Sequence, residues 1–190
     1  MCTEPPPAAP GETAATDLML APPDLDDLIE LHAIYSDPRV WTHFPNARHT
    51  DESQTAELIR VWRRSWQEHG LGPWIVRDPQ SGAMLGHGGC AVRGGFCWNL
   101  GYRFAAEAQG RGYATRVARA GTSAARAARS DLPVIAYLLE HNRASARVAE
   151  KVGLLLRHRG PDAGNPAPEA VRLIYSDREL SREQVAQALA

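Results

Sequence analysis

The 190-residue sequence predicts a single domain of mixed α/β class (α+β), in which a mostly antiparallel, seven-stranded sheet is flanked by five helices. Three observations lead to this prediction. Short apolar runs separated by Gly and Pro fill the middle of the chain, which is the pattern of an antiparallel meander. Runs with apolar residues at helical spacing precede and follow that meander. The length is sufficient for one compact core.

The first third of the chain predicts a tail, a strand and two helices. Residues 1–15 are rich in Pro and Ala, so we expect a disordered tail and a domain that spans 16–190. The stretch "DLMLAP" predicts a strand, "PDLDDLIELHAIYS" a helix, and "DPRVWTHFPNARHT" a loop. Thr50 or Asp51 is expected to cap a second helix from Glu52 to His69. Its apolar residues form one face, interpreted as core: Leu58, Val61, Trp62 and Trp66.

The remaining elements follow from turns and apolar runs. Three antiparallel strands are predicted next: Pro73–Asp78, Met84–Val92 and Phe96–Phe104. A helix from Ala114 to about Arg129 carries a face of very small residues, and "LPVIAYLLE" is typical of a buried strand. Asn142 is expected to cap a short helix that ends near Gly153. Two closing strands, "LLLRHRG" and "EAVRLIYSD", and a last helix complete the order.

Composition limits the classes of partner. The formal net charge of -1 gives no electrostatic basis for nucleic-acid binding. No apolar run is long enough for a membrane span, and no secretory signal pattern opens the chain. Cys2, Cys90 and Cys97 lack metal-ligand spacing, so we expect no metal, and free thiols in a reducing cytoplasm. Arginine outnumbers the single lysine, Lys151, as in GC-rich bacterial genes; a homodimer is compatible with the sequence.

The stretch "AEAQGRGYATRVARAG" raises the question of whether its glycines bind a phosphate. A P-loop needs a lysine after the second glycine, and none is near. A dinucleotide fingerprint needs a third glycine where Thr115 stands. The loop joins a strand to a helix, however, so unpaired helix N–H groups, Gly110, Gly112 and the cation of Arg111 would suit a pyrophosphate. On these residues alone, a plain strand-to-helix turn fits equally well.

Three segments together resemble the GCN5-related N-acetyltransferase (GNAT) superfamily. The run "QGRGYA" resembles its pyrophosphate motif. In "HNRASARVAEKVGL", five residues match the family's second motif in register: Asn142, Ser145, Val148, Lys151 and Gly153. The strand "LGYRF" is similar to that of the ribosomal-protein-alanine N-acetyltransferase (RimJ/RimL-like) branch. The resemblance covers Thr16 to Asp177. It implies the GNAT fold, a twisted sheet whose central strands, Cys97–Phe104 and Pro133–Leu139, splay apart.

The resemblance also implies acetyl-CoA as the co-substrate, bound between the splayed strands. Its pyrophosphate would meet one group of residues: Gln109, Gly110, Arg111, Gly112, Tyr113 and Ala114. Its pantetheine would pair with the backbone of Tyr102, Arg103 and Phe104, near Asn142 and Ser145. The implied reaction is direct attack by a primary amine, at a peptide or protein N-terminus or in a small molecule, on the acetyl thioester.

The catalytic residues are less well marked. The position where the family often carries a thiol-protonating tyrosine is Ala149. The resemblance implies Ser145 as the candidate proton relay, because it matches the serine that the RimJ/RimL-like branch carries instead. His87 is the candidate base because histidine titrates near neutral pH. Water held by Asn99, Tyr102 or His87 is the alternative, since Asn99 stands where the branch often has glutamate. These two departures keep open a non-catalytic acyl-CoA-binding or regulatory module.

The acceptor side is expected to lie between the first loop and the second helix. Trp41, His43, Phe44 and Asn99 are the candidates for its surface, with Arg48 on the same loop. The helix Glu52–His69 is expected to line the cleft. Aromatic and cationic side chains would suit a peptide N-terminus, and a small amine fits as well.

Overall fold

The computed structural model describes residues 18–162 and 165–189, so the predicted tail at 1–15 lies outside them. Seven strands are present: β1 (Met19–Ala21), β2 (Trp74–Arg77), β3 (Met84–Arg93), β4 (Cys97–Phe104), β5 (Val134–Leu139), β6 (Leu155–Pro161) and β7 (Val171–Ser176). Five α-helices accompany them: α1 (Leu28–Ser36), α2 (Glu52–His69), α3 (Tyr113–Ala128), α4 (Arg143–Lys151) and α5 (Arg182–Leu189). The predicted fold class is confirmed.

The chain order of the elements also matches the prediction. Asp51 caps α2, because its side chain accepts from the Ser53 N–H while the Gln54 side chain accepts from the Asp51 N–H. The expected loop before α2 contains two short 3₁₀ helices, Pro38–Val40 and Pro45–Ala47. Each starts at a proline, whose fixed φ favours the first position of a helical turn.

The sheet has the order β1-β2-β3-β4-β5-β7-β6. Every neighbouring pair is antiparallel except β4 and β5, which pair in parallel through only two registers, Trp98–Val134 and Asn99–Ile135. The Trp98 N–H donates to Pro133 O at 2.8 Å. Alternate residues of a strand direct their backbone groups the same way, so those of Leu100 and Tyr102 also face β5. The strands have separated there, which confirms the predicted splay.

The buried faces of α2 and α3 differ from the predicted ones at single residues. In α2, Val61 is 45% exposed, whereas Thr55, Ile59 and Trp62 are buried. The buried stripe follows a spacing of four and three residues, and Val61 stands about 100° around the helix from Trp62. In α3, Ala128 is exposed and the face ends at Ala125.

Two side-chain clusters pack on opposite faces of the sheet, and β4 contributes hydrophobic side chains to the first of them. Under α3 and α4, the buried core includes Trp98, Val117 and Ala149, and Tyr102 packs against it. Under α1 and α2, the core includes Trp41 and Trp62. Successive residues of a strand point to opposite faces, so β4 presents different side chains to the two layers.

The small-residue face of α3 is set by its close approach to β3. A Cβ added at Gly121 would lie 3.0 Å from the Cα of Gly89, a backbone atom that cannot rotate away. We expect Gly121→Val to lower the free energy of unfolding by about 1–3 kcal/mol, the usual cost of overpacking. Urea unfolding measures it. Ser123→Val on the exposed face of the same helix is the matched control, and an equal loss in both variants would contradict the packing argument.

Candidate active site

Two adjoining spaces open where β4 and β5 separate. The outer cleft, of about 620 Å³, lies between the start of α3 and the first turns of α4. The inner cavity, of about 350 Å³, lies against β4, β5 and the segment 41–44. Both spaces share five lining residues: His43, Tyr102, Arg103, Asn142 and Ser145. A molecule in one space therefore reaches a molecule in the other at this junction.

The glycine loop forms one wall of the outer cleft. Gly110 and Gly112 have φ of +76° and +78°, the left-handed region that favours glycine. A Cβ at either would meet no atom within 4 Å, so the backbone conformation, not space inside the protein, requires glycine. The Gln109 side chain donates to Phe104 O at 3.2 Å, which ties the loop to the end of β4.

The outer cleft has the electrostatic character of an anion site. Gly112 is the N-cap of α3 and provides no side-chain cap, so the helix presents its first N–H groups and its positive end. Tyr113 and Ala114 line the same wall. Five cationic residues are part of the lining of the cleft: Arg39, Arg103, Arg143, Arg147 and Lys151. None of the described residues that line it is Asp or Glu.

The cationic residues that line the outer cleft do not include the one expected from the sequence. Arg111 is exposed and is not among the residues that line the cleft. Arg143, Arg147 and Lys151 were missed, although their spacing of four residues places them on one face of α4. That spacing is the signal that would have found them.

Ser145 is held at the junction by its backbone. Its N–H donates to Asn142 Oδ1 at 3.1 Å, so Asn142 caps α4 as predicted. Its carbonyl accepts from the Tyr102 hydroxyl at 3.3 Å, and burial raises the pKa of Tyr102 to about 12. The Ser145 hydroxyl itself makes no hydrogen bond to the described part of the chain. Ala149 lies 1% exposed in the core beneath α4.

The inner cavity brings together the four residues expected on the acceptor side. Trp41, His43, Phe44 and Asn99 all line it. Asn99 Oδ1 is buried without a hydrogen-bond partner among residues 18–162 and 165–189. Two expectations fail, because Arg48 is exposed outside the cavity and no residue of α2 lines it. Trp62 of α2 instead packs behind His87.

His87 is part of the lining of the inner cavity but is almost fully buried. It is 4% exposed, its Nε2 lies 2.7 Å from the Tyr35 hydroxyl, and its ring centroid lies 4.3 Å from that of Trp62. Burial, and then the positive charge of Arg103, hold the pKa of His87 well below 6.5. The expectation of a histidine that titrates near neutral pH is therefore wrong. The fold keeps this imidazole neutral and a weak base.

The Arg103 side chain points to the face of the sheet opposite α3 and α4. On β4 it pairs across the ladder with His87, on the face opposite Tyr102. Its guanidinium carbon lies 3.3 Å from the Trp41 ring centroid, and Nη1 donates to Val40 O at 2.7 Å. Its backbone groups face β3, because the alternation that turns those of Leu100 and Tyr102 towards the gap turns those of Arg103 the other way, so the backbone contact with the cofactor expected at Arg103 does not fit this geometry. Tyr35 and Arg172 also line the inner cavity and were not found from the sequence.

Two features are absent from the described residues, a metal-binding group and a membrane-spanning helix. No group of three or more His, Cys, Asp or Glu is arranged to hold a metal ion there. Among residues 18–162 and 165–189, no helix combines the length and apolar character that a membrane span requires.

Comparisons with known proteins agree with this geometry. The family model described as an acetyltransferase (GNAT) domain matches residues 17–155. The uncharacterized protein YkkB of Bacillus subtilis (strain 168) is 31% identical over 134 residues, 69% of this chain and 77% of that protein. An acetyltransferase from Agrobacterium tumefaciens str. C58 superposes with a TM-score of 0.70 at 24% identity, covering 92% of this chain and 99% of that one. RimL, a ribosomal L7/L12 α-N-protein acetyltransferase solved with coenzyme A, gives 0.72 at 18% identity, covering 90% and 98%.

The neutral histidines predict how stability depends on pH. The fold lowers the pKa of His43 to about 4, through burial and then the charges of Arg103 and His141, and lowers that of His87 further from 6.5. An unfolded histidine titrates near ~6.5. The unfolded chain therefore binds extra protons below that pH, so stability that is complete above it falls as the pH is lowered towards 4.

Replacing one of these groups should flatten that dependence. We expect His87→Gln to reduce the slope of unfolding free energy against pH by up to about 1.4 kcal/mol per pH unit between pH 6 and 5, while leaving the slope above pH 7.5 unchanged. Urea unfolding at each pH measures both. Parallel curves for the two proteins throughout this range would contradict a neutral His87.

Proposed function

We propose that this chain, which belongs to the GNAT acetyltransferase family, transfers an acetyl group from acetyl-CoA to a primary amine, at a peptide or protein N-terminus or in a small molecule. The observation that carries the proposal is the junction of the two spaces. A cation-lined cleft with a helix N-terminus meets a separate aromatic cavity at the open edge of β4. Two substrates that react with each other need such an arrangement.

The residues of the outer cleft fit coenzyme A. Its phosphates suit the uncapped start of α3, where Gly110 and Gly112 leave the backbone open. Arg143, Arg147 and Lys151 supply positive charge along α4. The backbone groups of Leu100 and Tyr102 that face the gap suit the amides of pantetheine, as an added strand would. When bound, acetyl-CoA supplies an activated acetyl thioester.

The chemistry requires one bond to form, one to break and one proton to move. The amine nitrogen bonds to the acetyl carbon, the carbon–sulfur bond breaks, and the sulfur takes up a proton while the nitrogen loses one. We assign the proton supply at the junction to Ser145, whose hydroxyl has no hydrogen-bond partner among residues 18–162 and 165–189, assisted by Tyr102, whose raised pKa keeps it a donor. Holding both substrates at one point contributes much of the rate.

The amine is oriented in the inner cavity. Asn99 Oδ1 is an unpaired acceptor that suits an amine N–H, and the proton leaves by way of water. His87 acts as a positioning residue, because its neutral ring fixes the Tyr35 hydroxyl beneath Arg103. Cys90 and Cys97 are free and buried, in keeping with a proposed cytoplasmic location.

One observation favours a second candidate function. Ala149 offers no acid and Asn99 no base at the two positions where related enzymes often carry them, which suits a non-catalytic acyl-CoA-binding module. Release of free thiol from acetyl-CoA, with intact-mass detection across a panel of amines and peptides, separates the two. Acetylated product supports the enzyme, and binding without product across the panel supports the module.

The glycine loop predicts where the cofactor binds. Millimolar acetyl-CoA should raise the Tm of the wild-type protein, because a ligand that binds only the folded state stabilises it. Gly112→Val should abolish that shift, since a side chain there stands in open space where the phosphates are expected, at a φ that valine resists.

A second glycine gives the matched control. Gly82 has φ of +73° and equally open surroundings, in the turn between β2 and β3. Gly82→Val should cost similar stability and keep the full shift in Tm. A normal shift in Gly112→Val would mean that the loop is only a turn.

The free hydroxyl at the junction predicts a kinetic effect. Ser145→Ala should lower kcat about a hundredfold, the usual contribution of an acid–base group, with little change in the Kd of acetyl-CoA. Ser145→Cys, which keeps a weak donor, should recover part of the rate. A wild-type kcat in Ser145→Ala, with chemistry shown to be rate-limiting, would assign the proton to water.

A further inference from the structure

The inner cavity has an unbalanced charge. Its described lining contains two arginines, Arg103 and Arg172, and no Asp or Glu, while its two histidines, His43 and His87, stay neutral because the fold lowers their pKa values. A cavity that received only an uncharged or cationic amine would gain nothing from the two arginines, because like charges repel in a partly buried site. The lining therefore indicates that the acceptor brings negative charge.

Arg103 is the cation without a counterion. Its guanidinium lies against the rings of Trp41 and Tyr35, at 3.3 and 5.5 Å, and donates to a backbone carbonyl. Within 18–162 and 165–189 no carboxylate forms an ion pair with it, and its Nε is buried without a partner. Burying an unpaired cation costs several kcal/mol. The aromatic contacts offset part of that cost, and an anionic ligand would offset more.

Arg172 supplies a second donor at the same cavity. Its Nη2 bonds to Asp162 at 2.6 Å, and its guanidinium carbon lies 3.9 Å from the Tyr137 ring centroid. These contacts neutralise its charge and fix its plane, while its Nε is also buried without a partner in the described chain. Arg103 therefore carries the uncompensated charge, and Arg172 adds a fixed N–H.

The unpaired atoms of the cavity differ in kind. Arg103 and Arg172 leave N–H donors unsatisfied, whereas Asn99 leaves an acceptor oxygen unsatisfied. Donors on guanidinium groups suit an oxyanion, and the amide oxygen suits the N–H of an amine. One molecule that carries both groups would satisfy these three atoms, whereas His87 Nδ1, also buried without a partner among residues 18–162 and 165–189, stays outside this set. The volume of about 350 Å³ lies at the small end of ligand cavities, which suits a compact molecule.

We propose that the acceptor is a small amine that carries a carboxylate near its amino group, with Arg103 binding the carboxylate and Asn99 orienting the amine. The inference rests on the proposed acetyl transfer and names its substrate class. Arg103 is then the specificity-determining residue of the site. An acidic first residue of a peptide would present the same two groups, and the experiment separates that source from a free amino acid.

The test compares matched acceptors that differ only at the acid. Initial rates of thiol release are measured for amino acids against their carboxamides, and for peptides that begin with Asp against those that begin with Asn. The wild-type protein should have a higher kcat/KM for a free amino acid than for its carboxamide. In Arg103→Met, which keeps an apolar stem against Trp41, kcat/KM for the carboxylate should fall about tenfold to a hundredfold, and that for the carboxamide should change little. The acid-to-amide ratio of kcat/KM in the wild-type protein, divided by the same ratio in Arg103→Met, cancels differences in reactivity between the two amines.

Arg93→Gln is the matched control. Arg93 lies 4.6 Å from the Tyr137 ring centroid but is not among the described residues that line the inner cavity. Its loss should leave the preference unchanged. Equal kcat/KM for the small acid and amide in the wild-type protein, or an unchanged preference in folded Arg103→Met, would overturn the inference. A preference confined to the peptide pair would overturn the assignment to a small molecule.

A binding measurement needs neither turnover nor a variant. With coenzyme A present, an N-acetyl amino acid should raise the Tm of the wild-type protein more than its carboxamide does. If acetyl-CoA binds but no amine is acetylated, the proposed transfer fails, and this comparison still decides on the anion site. Equal shifts in Tm from the N-acetyl amino acid and its carboxamide would overturn the proposed anion site.

Discussion

The structure depends on one limited contact, the parallel pairing of β4 with β5 through two residue pairs. Because the strands part after Asn99, the next backbone groups of β4 that face β5 have no strand partner, although β4 stays paired with β3 on its other side. A gap therefore opens in an otherwise continuous sheet. An exposed, unpaired strand edge is costly and prone to misassociation. Here it lies in a cleft covered by α3 and α4, where a ligand with amide groups is the natural partner.

The alternation of β4 then directs the side chains at the gap to two different faces of the sheet. Tyr102 points towards α4 and holds the carbonyl of Ser145, whereas Arg103 points to the other face and lies over Trp41. The same period of two that defines a strand therefore separates a proton donor from a charged anchor. Arg103 also contributes to lowering the pKa of His43 and His87, so the acceptor side keeps its histidines neutral around one fixed cation.

Local features were predictable from the sequence, and contacts between distant segments were not. The cap at Asp51, the bounds of α2 and the strand-to-helix glycine turn follow from neighbouring residues and match the structure. The burial of His87 depends on Tyr35 and Trp62, which lie far away in the chain. Its pKa is set by burial and by Arg103, so no local pattern reveals it. The row of cations on α4 was readable in principle, because its spacing is local.

The surroundings of Ala149 and Asn99 give a reason for the two departures from the family pattern. Ala149 is buried under α4, so a tyrosine could not replace it there without repacking the core. Ser145, in contrast, is fixed by hydrogen bonds to both its N–H and its carbonyl, from Asn142 and Tyr102, which leaves its hydroxyl free at the junction. On the acceptor side, Asn99 in place of a carboxylate leaves the described lining of the inner cavity without an acidic side chain. An enzyme whose acceptor carries its own acid gains from that absence, since the guanidinium stays available to the substrate.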